Sequence, residues 1–241
     1  VPDSLLKDIC SYISDNAPAD KHIIAANEGG AVALAMGYYL ATSKTPLVYM
    51  QNSGFGNTIN PLLSLADPKV YSIPMLLVIG WRGEPGVKDE PQHVKQGEVS
   101  ETLLKTLDIP YVIISSKTKN IDKVISGAIK KAEENNEPHA ILVRKGTFEP
   151  YSLKTKTKTN FDLNREEAII KTTELLSDSD IIVATTGKTS RELFEFRSRN
   201  NQGHYRDFLT VGGMGHAISI ALGIALAKPD KTVYCFDGDG A

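Results

Sequence analysis

The stretch Pro74-Met75-Leu76-Leu77-Val78-Ile79 is apolar at every position and is followed directly by glycine and polar residues. A strand that is apolar throughout has both of its faces buried, which is typical of a parallel sheet covered by helices on each side. Similar runs stand at 46–50, 111–114 and 140–143. The stretch therefore predicts a central strand of a parallel sheet.

Helix-like segments separate these runs. They are predicted at 28–41, at 57–66 despite Pro61, near 100–107 and at 121–135, and a shorter apolar run at 23–26 is predicted to be a further strand. Strands that alternate with helices indicate an α/β fold with a parallel sheet.

A segment rich in Lys, Thr, Gly and Pro then interrupts the pattern, which restarts after Asn164. The Lys-Thr alternation at 154–159 is read as a solvated linker, with an edge strand as the alternative. The expected domains are 1–145, a linker at 146–163, and 164–241. The second domain has predicted helices at 165–177, 190–199 and 215–227 and strands at 181–184 and 232–236. Because it contains fewer elements than the first, we expect it to be an incomplete α/β domain.

The amino-acid composition argues against several classes of function. The 241 residues are 41% hydrophobic and 23% charged, as in a globular protein with a core. A net charge of −2 argues against nucleic acid as a partner. No apolar stretch reaches the length of a membrane span, and no signal peptide is visible. Two cysteines far apart in the sequence fit a reducing cytoplasm.

Two motifs lie at predicted strand-to-helix junctions. Asn27-Glu28-Gly29-Gly30 is either an ordinary helix cap or a carboxylate placed at a ligand site, because open α/β sheets bind ligands beyond the carboxyl ends of their strands. Gln51-Asn52-Ser53-Gly54-Phe55-Gly56-Asn57 would let a ligand approach a helix N-terminus. Ile59 breaks the dinucleotide fingerprint, so a nucleotide is not favoured.

A long polar loop, 80–93, follows the most apolar strand. It is either a surface connection or a substrate loop. Arg82 suits a phosphonate or sulfonate because its guanidinium group can bond two oxygens at once, and His93 could transfer a proton near neutral pH. Lys88 adds a second cation.

Two glycine-rich motifs follow in the second domain. Gly212-Gly213-Met214-Gly215-His216-Ala217 is either a turn into a buried helix or a backbone platform for a flat ligand. Asp237-Gly238-Asp239-Gly240-Ala241 is either a hairpin turn or the start of a site for Mg²⁺ and a diphosphate.

Taken in chain order, these motifs resemble those of the thiamine-diphosphate-dependent 2-oxoacid decarboxylases, over essentially the whole chain. The resemblance rests on Asn27-Glu28-Gly29, Ser53-Gly54-Phe55-Gly56 through Asn60, Gly212-Gly213-Met214-Gly215-His216-Ala217 and Gly238-Asp239-Gly240. It implies a pyrimidine-binding-type first domain and a diphosphate-binding-type second domain, with thiamine diphosphate and Mg²⁺ as cofactors. The family's metal motif extends to an Asn-Asn pair that this chain lacks.

The resemblance also implies residue roles. Glu28 would be the catalytic glutamate that activates the cofactor, Met214 the apolar wedge beneath it, and Asp239 the Mg²⁺ ligand. The other implied cofactor contacts are Gly54, Gly56, Gly212, Gly213, Gly238 and Gly240. Asn52, Ser53, Arg82 and Lys88 are expected to contact the substrate, with His93 as a second catalytic residue.

The implied reaction is non-oxidative decarboxylation of a 2-oxoacid. The segment 84–93 favours phosphonopyruvate, which would yield phosphonoacetaldehyde and CO₂, with sulfopyruvate or a non-catalytic cofactor-binding subunit as alternatives. The resemblance further implies a homo-oligomer with active sites shared between subunits, Glu28 of one chain facing Asp239 of another.

Overall fold

The computed structural model describes residues 1–154 and 160–238, and the chain divides into two compact units, Val1–Lys156 and Thr157–Ala241. These are called the first and second unit below. Most of the Lys-Thr alternation and the predicted sites Asp239 and Gly240 lie outside the described residues. The exact domain and linker boundaries stay a prediction.

The first unit contains a four-stranded, all-parallel sheet. Its strands are β1 (Leu47–Gln51), β2 (Met75–Gly80), β3 (Tyr111–Ile114) and β4 (Pro138–Val143), in the spatial order β1-β2-β4-β3. Every residue of β2 is buried, which confirms the prediction made from its composition. Because successive side chains point to opposite faces, Leu77 joins the core on one side and Leu76 the core on the other.

Helices cover both faces of this sheet. They are α1 (Lys7–Asn16), α2 (Glu28–Thr42), the single turn α3 (Ile59–Pro61), α4 (Pro91–Thr106) and α5 (Ile121–Asn135). A 3-10 segment, Asn52–Thr58, precedes α3, and a π segment, Leu62–Ala66, follows it. The predicted α/β class is confirmed for this unit.

Some sequence predictions were wrong in detail. The run 23–26 forms no strand, because no neighbouring strand pairs with its backbone, and both Ile23 and Ile24 are exposed. Helix α4 begins at Pro91, so His93 lies in its first turn and not in the loop. Proline is well suited to the first position of a helix, and the polar composition of that turn concealed it. Helix α1 was not predicted.

The second unit contains a three-stranded parallel sheet in the order β6-β5-β7. Its strands are β5 (Ile181–Ala184), β6 (Asp207–Leu209) and β7 (Val233–Phe236), and its helices are α6 (Arg165–Glu174), α7 (Lys188–Arg199) and α8 (Ala217–Ala227). Asn164 and Glu167 form a reciprocal capping box, as expected for a helix that starts there. Helix α6 ends before the predicted 177, and α8 begins two residues after the predicted 215.

None of the helices within residues 1–154 and 160–238 combines the length and the apolar character that crossing a bilayer requires.

One buried histidine lies inside the first unit. His139 on β4 is only 2% exposed. Neither of its ring nitrogens has a hydrogen-bond partner among the described residues. Burial lowers the pKa of His139 below its ordinary value, and the nearby Lys131 lowers it further, while Glu137 opposes this. Folding therefore favours the neutral imidazole.

This predicts acid sensitivity of the first unit. Because the folded pKa of His139 lies below the unfolded value of about 6.5, its contribution to stability is present above that pH and is lost as the pH falls toward the folded pKa. We expect His139→Leu to reduce the pH dependence of the free energy of unfolding below about pH 6.5. Unfolding can be measured by the fluorescence of the single tryptophan, Trp81. An unchanged dependence would contradict the prediction. His93, whose pKa is also lowered by burial, contributes to the same pH dependence in the parent protein and in the variant.

Candidate functional site

The carboxylate of Glu28 lies at the start of α2 and is enclosed by the segment that follows β1. The residue is 9% exposed, and its Oε2 accepts a hydrogen bond of 2.9 Å from Nδ2 of Asn57. A Cβ atom on Gly54 would overlap the Glu28 side chain, so only glycine fits there without displacing it. The structure thus brings two predicted site residues, Glu28 and Gly54, into direct proximity.

Asn27 and Glu28, which are neighbours in the sequence, have different roles at the start of α2. Asn27 caps α2, accepting a hydrogen bond of 2.8 Å from the Gly30 amide. The side chain of Glu28 is therefore not needed as the cap and turns toward Asn57. The capping interpretation of this motif is confirmed for Asn27, and the role of Glu28 at a ligand site stays a prediction.

Asn52 connects three parts of the first unit. It is 2% exposed, and its Nδ2 donates to the Arg82 carbonyl (2.8 Å) and to Oγ of Ser100 on α4 (2.9 Å). Its Oδ1 accepts from the Arg82 amide at 3.1 Å. The hydrogen bonds of the Asn52 side chain therefore go to Arg82 and Ser100. The neighbouring Ser53 is exposed, and its hydroxyl group accepts a hydrogen bond from Gln51. Asn52 therefore joins the 52–58 segment to the loop after β2.

The loop after β2 is organised around Asp89. Its Oδ2 accepts from Nε of Arg82 and from the Gly83 amide, each at 2.8 Å, and its Oδ1 accepts from Nη2 of Arg82 and from the Glu90 amide. The Arg82 guanidinium group holds the pKa of Asp89 well below its usual range. Arg82 also donates from Nη1 to Oγ of Ser4 at 2.8 Å.

The two other predicted residues of this loop region differ in setting. Lys88 is exposed and makes no ion pair with any residue in the described ranges. His93 is half-buried, its Nδ1 has no hydrogen-bond partner there, and burial followed by the charge of Arg82 lowers its pKa. No hydrogen bond within 1–154 joins Glu28 to Arg82, Lys88 or His93.

The second unit has a concavity of about 670 Å³ at the carboxyl ends of its strands. Because the strands are parallel, the segments that follow β5, β6 and β7 meet at one edge of the sheet. The residues along it are Arg165, Ala168, Ile169, Thr172, Thr185, Thr186, Lys188, Thr189, Met214, Cys235, Phe236, Asp237 and Gly238. Met214 and Gly238, both predicted site residues, are thus brought together.

The turn before α8 exposes Met214. Gly213 and Gly215 have positive φ angles of 69° and 84°, which favour glycine, and Nδ1 of His216 lies 3.1 Å from the carbonyl oxygens of Gly213 and Met214. Met214 as a residue is 51% exposed and lines the concavity. Gly212 precedes the turn and is half-buried.

Sequence reasoning missed one wall of this concavity. The segment after β5 contributes Thr185 and Thr186, and Lys188 is the first residue of α7. Gly187, which precedes α7, has a φ of 88°. A polar, glycine-containing junction after a buried strand is the same signal that identified 51–57 in the first unit. Asp237 was also overlooked as a side chain in its own right.

The residues around this concavity suit the implied cofactors. Oδ2 of Asp237 is a buried oxygen with no hydrogen-bond partner among the described residues, while its Oδ1 accepts from the Gly238 amide at 3.0 Å. A carboxylate oxygen suits Mg²⁺, and hydroxyl groups, a lysine and a helix N-terminus suit a diphosphate. No group of three potential metal ligands occurs within 1–154 and 160–238, and the role of Asp239 stays a prediction.

Comparison with known protein families gives two matches. Residues 1–104 match the thiamine pyrophosphate enzyme N-terminal TPP binding domain, and residues 185–241 match the C-terminal TPP binding domain of the same enzymes. Thiamine pyrophosphate and thiamine diphosphate are the same compound.

Individual relatives are similar along most of the chain. A phosphonopyruvate decarboxylase of Streptomyces viridochromogenes is 30% identical over 96% of the chain and 62% of its own length. A sulfopyruvate decarboxylase of Methanosarcina acetivorans is 30% identical over 100% of the chain and 64% of its own length. A sulfopyruvate decarboxylase subunit alpha of Methanococcus maripaludis is 38% identical over 59% of the chain and 82% of its own length. The chain thus spans somewhat less than two thirds of the first two relatives.

Proposed function

Because this chain belongs to the thiamine pyrophosphate enzyme family, we propose that it catalyses the thiamine-diphosphate-dependent decarboxylation of a 2-oxoacid that carries a second anionic group. Phosphonopyruvate is the proposed substrate, with phosphonoacetaldehyde and CO₂ as products, and sulfopyruvate is the second candidate. The single observation that carries the proposal is the enclosed Glu28 carboxylate, held against Gly54 and bonded to Asn57.

The cofactor, when bound, would supply an electron sink for the electron pair that remains when CO₂ leaves. The protein's part is to orient it and to move protons. Glu28 would hold a proton at a ring nitrogen of the aminopyrimidine, for which a buried carboxyl group with one fixed hydrogen-bond donor is suited. Asn57 orients that carboxylate, and Gly54 leaves room for it.

The second unit would hold the diphosphate and its metal ion. Asp239 is the proposed Mg²⁺ ligand, between Gly238 and Gly240. Asp237, whose Oδ2 has no hydrogen-bond partner among the described residues, precedes it by two positions. Met214 would support the ring system, with the backbone of Gly212 and Met214 against the aminopyrimidine and Gly213 as a further cofactor contact. The support for this placement is that Met214, Asp237 and Gly238 line one concavity.

The proposed substrate class rests on the loop after β2. The relatives are named for phosphonopyruvate and sulfopyruvate, which both carry a second anion. In this chain the loop presents an exposed lysine, Lys88, which could bind an anion. The loop leads into α4, whose first turn contains His93, a residue that can donate or accept a proton. His93 is the proposed second catalytic residue.

We further propose a homo-oligomer in which active sites are shared between subunits. Two helices support it, because each is apolar on all sides and leaves large side chains in solvent. The exposed side chains are Leu34 and Leu40 on α2 and Ile218, Leu222 and Leu226 on α8. Glu28 of one chain would then face Asp239 of another. A relative named as an alpha subunit makes a hetero-oligomer the alternative.

The proposal is tested by measuring CO₂ release from phosphonopyruvate, sulfopyruvate and pyruvate with thiamine diphosphate and Mg²⁺ present. We expect kcat/KM to be highest for phosphonopyruvate and lowest for pyruvate, because pyruvate lacks the second anion. Removal of Mg²⁺ by chelation should abolish turnover. Tight binding of thiamine diphosphate without turnover of any of the three acids would instead support a non-catalytic cofactor-binding subunit.

A further inference from the structure

The two cations of the loop after β2 are not equivalent. Arg82 donates from Nε, Nη1 and Nη2 to Asp89 and Ser4, and its side chain is 20% exposed. Its charge is compensated by Asp89, whose side chain is 10% exposed. Lys88, one residue before Asp89, is exposed and unpaired within the described part of the chain.

Asp89 also holds the loop backbone. Its two oxygens accept the Gly83 and Glu90 amides as well as the Arg82 guanidinium group, so they close residues 82–90 into a ring. Charge-assisted bonds of this kind are the stronger ones in proteins, and a bidentate arginine pair adds a defined geometry. The carboxylate therefore fixes the backbone at both ends of the segment that carries Lys88.

The base of the ring is fixed from outside by three further contacts. Asn52 holds both the amide and the carbonyl of Arg82. Gly83 approaches α4 so closely that a Cβ atom on it would overlap the His93 carbonyl. Glu84 pairs with Arg144 at 2.9 Å. The exposed residues that remain, 85–88, form the tip of the loop.

We propose that Asp89 is a positioning residue that ties Arg82 into the wall of the loop and leaves Lys88 as the cation that meets the second anionic group of the substrate. This inference rests on the proposed function. It replaces a direct substrate contact of Arg82 with an indirect role, since a guanidinium group already bonded to a carboxylate would have to break that pair to bind a phosphonate or sulfonate. Lys88 would then determine the preference for substrates that carry a second anionic group.

The two roles for Arg82 predict opposite results for Asp89→Asn. If Asp89 positions the loop, Asp89→Asn and Arg82→Met each raise KM for phosphonopyruvate by about tenfold with little change in kcat, and the double variant is no worse than either single one. If Arg82 binds the substrate directly, Arg82→Met raises KM, whereas Asp89→Asn frees the guanidinium group and leaves KM unchanged or lowers it. That second pattern would overturn the proposal.

Lys88→Met tests the proposed contact between Lys88 and the substrate. Lys95→Met is the control, because Lys95 is an exposed lysine on α4 that pairs with Glu98. We expect Lys88→Met to raise KM for phosphonopyruvate by about tenfold without raising KM for pyruvate, and Lys95→Met to change neither. Equal effects on both acids, or no effect, would contradict a specificity role for Lys88.

Hydrogen exchange of residues 82–90 gives a readout that does not depend on turnover. Asp89→Asn should speed exchange of the Gly83 and Glu90 amides, because both lose a charged acceptor, while exchange in α5 stays as in the parent protein. Unchanged exchange would show that Asp89 does not fix the loop. Absence of turnover in the parent protein would contradict the proposed function itself, and the exchange result distinguishes that failure from a failure of the positioning role.

Discussion

Replacing Glu28 by Gln is expected to lower the kcat/KM for decarboxylation by about 10² to 10⁴, the range typical of removing a general acid–base group. Glutamine has nearly the same shape and can still interact with Asn57, so the enclosure by Gly54 should persist. It cannot exchange a proton with the aminopyrimidine. The loss should therefore appear in turnover, with the fold unchanged and thiamine diphosphate still bound.

The measurement combines steady-state CO₂ release with calorimetric binding of thiamine diphosphate in the presence of Mg²⁺. Glu134→Gln is the matched control, because Glu134 lies on the exposed side of α5 and forms an i,i+4 pair with Lys130. It should behave as the parent protein in both assays. Substantial turnover by the Glu28→Gln variant would exclude the proposed role of this carboxylate.

The second large effect is expected from Asp207→Ala in the second unit. Asp207 on β6 accepts from Arg197 on α7 through Nε–Oδ2 (2.9 Å) and Nη2–Oδ1 (3.1 Å), and the two side chains are 0% and 7% exposed. Removing one partner of a buried pair leaves the other charge without compensation, which typically costs about 3–5 kcal/mol of unfolding free energy. Gln202, which accepts from Arg197, cannot replace the lost charge.

Urea unfolding followed by two probes tests this prediction. Trp81, the single tryptophan, lies in the first unit, so its fluorescence reports that unit, whereas far-UV circular dichroism reports both. Asp207→Ala should shift part of the circular dichroism transition to lower urea. Asp178→Ala is the control, because the Asp178 carboxylate that pairs with Arg206 is fully exposed. Equal shifts in the two variants would show that burial of the Arg197 pair does not matter.

Much of the fold could be predicted from local sequence patterns. The apolar run in β2 and the helix-like spacing in α5 describe interactions between residues close in sequence, so both elements were predictable. The run 23–26 shows the limit, since a strand needs a partner and the sequence does not say which runs will pair. The first turn of α4 was missed because a polar helix start resembles a loop.

The sequence by itself determined the α/β class, the glycine-containing junctions and the resemblance to the thiamine-diphosphate enzymes, because each depends on residue types within a short segment. Only the tertiary structure decided that Gly54 encloses Glu28 and that Arg82 is committed to Asp89 and Asn52. The formal charge of Arg82 can be read from its letter, but its availability depends on which acceptors the folded chain brings within hydrogen-bond distance. That is set by the packing of loops against α2 and α4, and it turns one of two equivalent-looking cations into part of the scaffold.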